Sequence, residues 1–107
     1  MALNIMRFIT DPNGENTFAR PAPSYVDGKA LAADTPETFT KPTGARFAIF
    51  SATADFYCNP DGPPAVVTDV SDGTGSELNP AIYSVDEITT LSVISAATCL
   101  ISIAWYK

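Results

Sequence analysis

The side chains with most chemical potential in this 107-residue chain are Asp69, Asp72, Glu77 and Asn79, grouped around Gly73 and Gly75. Carboxylate and amide oxygens at this density suit a hard cation such as Ca²⁺. The spacing departs from the EF-hand loop, whose ligands alternate around a glycine at the sixth position and end on a glutamate at the twelfth. Asp and Asn also favour turns, because their side chains bond nearby backbone groups, and turn chemistry accounts for the run without a metal. Paired carboxylates run glycoside hydrolysis, yet nothing in the sequence brings two of them to one cleft. The chain has no histidine, so the commonest general base and metal ligand is missing. Its many Ser and Thr residues have neither a histidine nor a Ser-x-x-Lys pattern to activate them. The expectation is a protein that is not an enzyme, with no catalytic residues, no metal and no cofactor.

Two cysteines, Cys58 and Cys99, are too few for a disulfide framework. Each falls in a predicted strand, on the same face as Phe56 and Ile101 respectively, which predicts two small buried thiols. The opening residues, MALNIMRFITDPNGEN, lack a basic region followed by a long apolar core and a cleavage site. Synthesis and folding in a reducing cytoplasm are expected. A net charge of −6 argues against nucleic-acid binding, which needs cations to displace counterions from phosphates.

These residues must be positioned by strands. The decisive stretch is Ile88 to Tyr106, ITTLSVISAATCLISIAWY, which carries no charge. Its length would suit a membrane-spanning helix, but its period is two. Cys99, Ile101, Ile103 and Trp105 share one side, Leu100, Ser102, Ala104 and Tyr106 the other, while Leu91 and Val93 pair up earlier. Such alternation, rich in β-branched residues, predicts two antiparallel strands joined as a closing hairpin through Ala96-Ala97-Thr98. No membrane association is expected.

Upstream, further strands are expected at Glu37–Thr40, Arg46–Ser51, Asp55–Cys58, Ala65–Val70 and Ile82–Val85. The turn at Lys41-Pro42-Thr43-Gly44 and the Pro- and Gly-rich run Asn59–Pro64 separate them. Nine prolines and six glycines leave no room for a long helix. The fold class is therefore all-β: a single antiparallel β-sandwich of seven to eight short strands over residues 35–107, preceded by an extended N-terminal arm over residues 1–34. Within the arm, Leu3–Thr10 and Glu15–Ala19 could pair across Asp11–Gly14, and Arg20–Asp34 reads as an extended segment or linker. The arm's Leu3, Ile5, Met6, Phe8, Ile9, Phe18 and Tyr25 would be costly to leave in water, so it needs something to lie on. With Tyr57, they are the expected partner-binding residues.

Three stretches, ETFTKPTGARFAIFSATADFYC, VTDVSDGTGSELNP and ITTLSVISAATCLISIAWY, carry a resemblance. Together, from Glu37 through Tyr106, they are similar to small virion structural proteins of tailed bacteriophages. The resemblance contains no catalytic signature. It implies a jelly-roll-like sandwich and a capsid decoration (cement) protein on the capsid surface of the virion, bound to the major capsid protein or another virion protein. Related proteins serve as head fibres, tail components or receptor- and carbohydrate-binding modules. A homo-oligomer is expected, with a trimer favoured because it matches the local threefold positions of an icosahedral lattice.

Overall fold

The computed structural model describes residues 3–7, 12–13, 20–67 and 69–107. Among these are eight strands: β1 (Val26–Leu31), β2 (Glu37–Thr40), β3 (Phe47–Ala52), β4 (Tyr57–Pro60), β5 (Glu77–Leu78), β6 (Ile82–Ser84), β7 (Thr90–Ile94) and β8 (Cys99–Tyr106). They form two four-stranded antiparallel sheets, ordered β1-β8-β3-β6 and β2-β7-β4-β5. The chain is an all-β sandwich. Four of its pairs match strands nested inward from the two ends, β1 with β8, β2 with β7, β3 with β6 and β4 with β5. The fold is thus one long two-stranded ribbon, doubled back at residues 61–76 and wound so that its two halves face each other.

Alternation along the strands fixes which side chains meet between the sheets. From the first sheet come Leu31, Ala48, Phe50, Cys99, Ile101, Ile103 and Trp105; from the second, Phe39, Cys58, Leu91 and Val93. Trp105, Ile103, Leu91 and Val93 have no exposed surface. Each such apolar side chain stabilises the fold by about 1.5–3 kcal/mol relative to leaving it in water. Phe50 adds a tilted ring contact to Phe56 and an edge contact to Tyr83. Both thiols are buried and unpaired.

The uncharged stretch is pleated as expected, but it is no hairpin. β7 lies between β2 and β4, whereas β8 lies between β1 and β3 in the other sheet. The reason is burial on both faces. Ser92 and Ile94 are buried on the side opposite Leu91 and Val93, as Ala104 and Tyr106 are opposite Ile103 and Trp105. Strands with both faces covered belong at sheet centres, and each sheet has its own. The link between them is an arch tied down by Ser95, whose Oγ donates to Asp55 O (2.7 Å) and accepts from Ala97 N (3.2 Å). Ser95 O in turn accepts from Asp34 N (2.8 Å).

Three other expectations fare differently. Glu37–Thr40 is a strand with the expected bounds, and the following turn is closed by Ala45 N donating to Pro42 O, with Gly44 at φ 86°. That positive φ, at the third position of the turn, is where glycine costs least. Ala65–Val70 is no strand among its described residues. Pro63 and Pro64 precede it, and the buried Ala65 gives its N–H to the Ser92 hydroxyl rather than to a neighbouring backbone. Val26–Leu31, placed by sequence in the arm, is β1 and pairs along its whole length with β8. Its alternation was hidden because Asp27 and Lys29, on the inward side, stand where apolar residues would usually signal a strand.

Candidate interaction surfaces

The acidic loop is built of separate local bonds. Asp72 Oδ1 accepts from both Thr74 N (3.1 Å) and Thr74 Oγ1 (2.6 Å), and these bonds hold its carboxyl below the usual range. Asn79, at φ 51°, accepts from Phe56 N through Oδ1 (3.0 Å) and donates to Asp55 Oδ1 (2.9 Å). Glu77 Oε1 accepts from the Tyr83 hydroxyl. Among the described residues, no group of three or more His, Cys, Asp or Glu is gathered as a cation would require. Burial pushes the neighbouring Cys58 thiol up to about 12, with Glu77 adding to the effect, so the thiolate that nucleophilic chemistry needs is disfavoured there. Tyr83 is likewise raised, first by burial and then by its bond to Glu77.

Of the arm residues singled out by sequence, Phe8, Ile9 and Phe18 lie outside the described residues. The others lie on the chain's own sandwich, at the end of β8. Lys107 N donates to Asn4 O (2.8 Å) and Met6 N donates to Lys107 O (2.9 Å), the exchange a parallel strand pair makes around Ile5. The buried Tyr106 hydroxyl donates to Pro21 O (2.7 Å) and receives Arg20 Nη1. Asn4 Nδ2 donates to Ala22 O, and Asn4 N to Ser24 Oγ (3.1 Å). Leu3 and Tyr25 pack against the core, Met6 is half-buried, and Ile5 is exposed. Tyr57 sits half-buried on β4. The described residues of that set therefore do not form one surface: Leu3 and Tyr25 are half-buried against the core, and Tyr57 belongs to the other sheet.

The two outer faces of the sandwich differ in kind. On β2-β7-β4-β5, the loop after β4 crosses the sheet at Ala65, which is buried against Ser92 through the bond from Ala65 N to Ser92 Oγ (2.8 Å). Asn59 Nδ2 to Pro63 O (3.1 Å) and Val66 N to Ser76 Oγ (3.3 Å) hold it there. On β1-β8-β3-β6, among the described residues, only the Tyr106 end is covered, by residues 20–21. Comparison with protein-family models, curated proteins and solved structures finds no match. The candidate surface must therefore be read from its own chemistry.

Strand register assigns Val26, Gly28 and Ala30 of β1, Leu100, Ser102, Ala104 and Tyr106 of β8, Phe47, Ile49 and Ser51 of β3, and Ile82 and Ser84 of β6 to the outer face, of which Ala104 and Tyr106, at the covered end, are buried. No member of that set is charged, in a chain whose net charge is −6. Leu100, Val26 and Ile82 are 60%, 51% and 51% exposed. Exposed apolar surface gathered on one face is a feature of protein–protein and membrane interaction sites and of ligand-binding grooves. Sequence reasoning found half of this. It placed Leu100, Ser102, Ala104 and Tyr106 on one side of β8, but with β1 assigned to the arm the four-strand face was not visible.

Proposed function

We propose that the protein is a structural protein of a tailed-bacteriophage virion, a capsid decoration (cement) protein that binds and bridges major capsid subunits. Two lines of support are independent. One is the resemblance of residues 37–106 to such virion proteins. The other, and the observation that carries the reading, is the uncharged outer face of β1-β8-β3-β6. Such a face loses affinity for water without asking for a charged partner, which suits flat protein-on-protein contact. The jelly-roll fold belongs to the same proposal. It is supported by strands that nest in pairs from the ends inward and wind into two facing sheets, the wrapping of a double-sheet jelly roll.

The work done is mechanical. Apolar area removed from water stabilises by about 25 cal/mol per Å², so several hundred Å² on such a face contributes several kcal/mol before ordering costs. Many copies on one shell add avidity through effective concentration. The test is a binding isotherm of the purified chain on mature capsids. A fixed copy number per capsid subunit is expected, with binding lost when Leu100→Glu and Ile82→Glu charge the face. Equal binding by that variant would remove the reading.

A second reading, a fibre, tail or receptor- and carbohydrate-binding module, is favoured by one observation. Val66, Val67 and Val70, on the loop at the far end of the ribbon, are 49%, 43% and 51% exposed. Adsorption to host cells that survives Leu100→Glu but fails when these valines become serine would support it instead.

A further inference from the structure

The outer edge of β1 is the longest free sheet edge among the described residues, and its chemistry is self-complementary. In an antiparallel pair, residues alternate between those that exchange backbone bonds with their opposite number and those that turn their groups away. Trp105 N donates to Tyr25 O (3.0 Å) across β1 and β8. That fixes the phase: Asp27, Lys29 and Leu31 face β8, opposite Ile103, Ile101 and Cys99, while Val26, Gly28 and Ala30 turn N–H and C=O outward. No described strand takes up those groups.

We propose that the outer edge of β1 pairs antiparallel with β1 of a second copy, about a two-fold axis through Gly28, to make one continuous eight-stranded sheet. In this register Gly28 meets Gly28 and Val26 meets Ala30, so all the outward groups exchange bonds. Asp27 then stands opposite Lys29 of the second copy, at a position where the pair makes no backbone bonds and side chains come closest. An edge lysine ordinarily discourages pairing; here its counterpart is a carboxylate. Each Lys29, already joined to Glu37 at 3.1 Å, would gain a second acid. Two copies of a chain with net charge −6 repel each other over most of their surface. This edge offers opposite charges to itself, and the strand positions of the face beside it carry none, the Arg46 and Arg20 guanidinium groups lying over the Phe47 and Tyr106 rings at its end. An isologous contact of this kind closes at two, and it would fuse the two uncharged faces into one platform. It stands whether or not that platform meets a capsid.

Sedimentation equilibrium of the full chain tests it, with a mass of twice 11.3 kDa expected at high concentration. Ala30→Pro removes an outward N–H that the monomer does not use, a substitution edge strands accept, and should sediment at the single-chain mass with an unchanged circular dichroism spectrum. Gly28→Cys tests the register without depending on that variant. A Cβ at Gly28 meets nothing closer than Ile101 O at 3.9 Å, and directly opposed residues lie about 5.5 Å apart, within disulfide reach. With oxidised glutathione as electron acceptor, Gly28→Cys should become a covalent dimer. Val26→Cys should not, its sulfurs being held about 14 Å apart by the strand rise. A single-chain mass up to about 1 mM, where even a millimolar dissociation constant registers, a threefold mass, or cross-linking of Val26→Cys but not Gly28→Cys would each overturn the proposal.

Discussion

Ser92 and Ser102 provide a controlled comparison. Both are serines on central strands, β7 and β8, and both point to the outer side of their sheets. Ser92 is 4% exposed and accepts the N–H of Ala65, itself 1% exposed. Ser102 lies on the uncovered face and is half-buried. Truncating Ser92 to alanine strands a buried donor, which costs about 1–3 kcal/mol. Truncating Ser102 strands nothing, and a change within about 0.5 kcal/mol is expected. With an unfolding entropy near 2.1 cal/mol/K per residue, each kcal/mol in a chain of this size shifts the melting temperature by about 4 °C. Ser92→Ala should therefore melt about 4–12 °C below the parent, and Ser102→Ala within about 2 °C of it. The assay is thermal unfolding, with equilibrium urea unfolding beside it for the free energies, each followed through the single, fully buried Trp105. If both variants unfold together, the loop of residues 61–76 does not hold down the sheet, and the contrast between the two faces fails with it.

Three more outcomes follow from the same contacts. Ile103→Ala, at a position with no exposed surface, should cost about 2–5 kcal/mol in the same titration, a large share of the roughly 5–15 kcal/mol a domain commands. Asp61 is held below the usual carboxylate range by the Thr89 hydroxyl and then by the Thr89 N–H. Its contribution is present above the unfolded pKa near 3.9 and disappears as pH falls through the folded value, so Asp61→Asn should flatten the loss of stability on acidification in urea titrations at stepped pH. Cys58 runs the other way. Its thiol is raised to about 12, so from the unfolded value near 8.5 upward only the unfolded chain gives up the proton, and stability should decline with rising pH by up to about 1.4 kcal/mol per unit. Cys58→Ala should remove that decline, and a thiol reagent at pH 8 should label the parent only in denaturant.

What could be read in advance follows the strength of each local signal. Cys99, Ile101, Ile103 and Trp105 alternate without interruption, and all four are in the core. Glu37–Thr40, fenced by Pro36 and by the Pro42–Gly44 turn, left little choice of bounds. β1 was missed because its inward positions hold Asp27 and Lys29, made tolerable there by Trp105 Nε1 donating to Asp27 Oδ2 (2.9 Å) and by Glu37. No local pattern announces a partner such as Trp105, which lies 78 residues from Asp27. The same long range hid the destination of β7 and β8. A four-residue link fits a hairpin and an arch between sheets equally, and only burial on both faces of both strands decides between them. The uncharged face could not be assembled until β1, β3, β6 and β8 had been put side by side. Its members are scattered from Val26 to Tyr106.

β8 is the chain's last strand and the centre of its first sheet, gripping β1 on one side and β3 on the other. On the ribosome, then, β1 and β3 emerge long before the strand that joins them and wait with their inward residues wet. Nothing resembling the finished first sheet can exist until Tyr106 has left the exit tunnel. Closure waits for the whole of β8 to be made, and a nascent chain halted before Cys99 should be as sensitive to protease as an unfolded one.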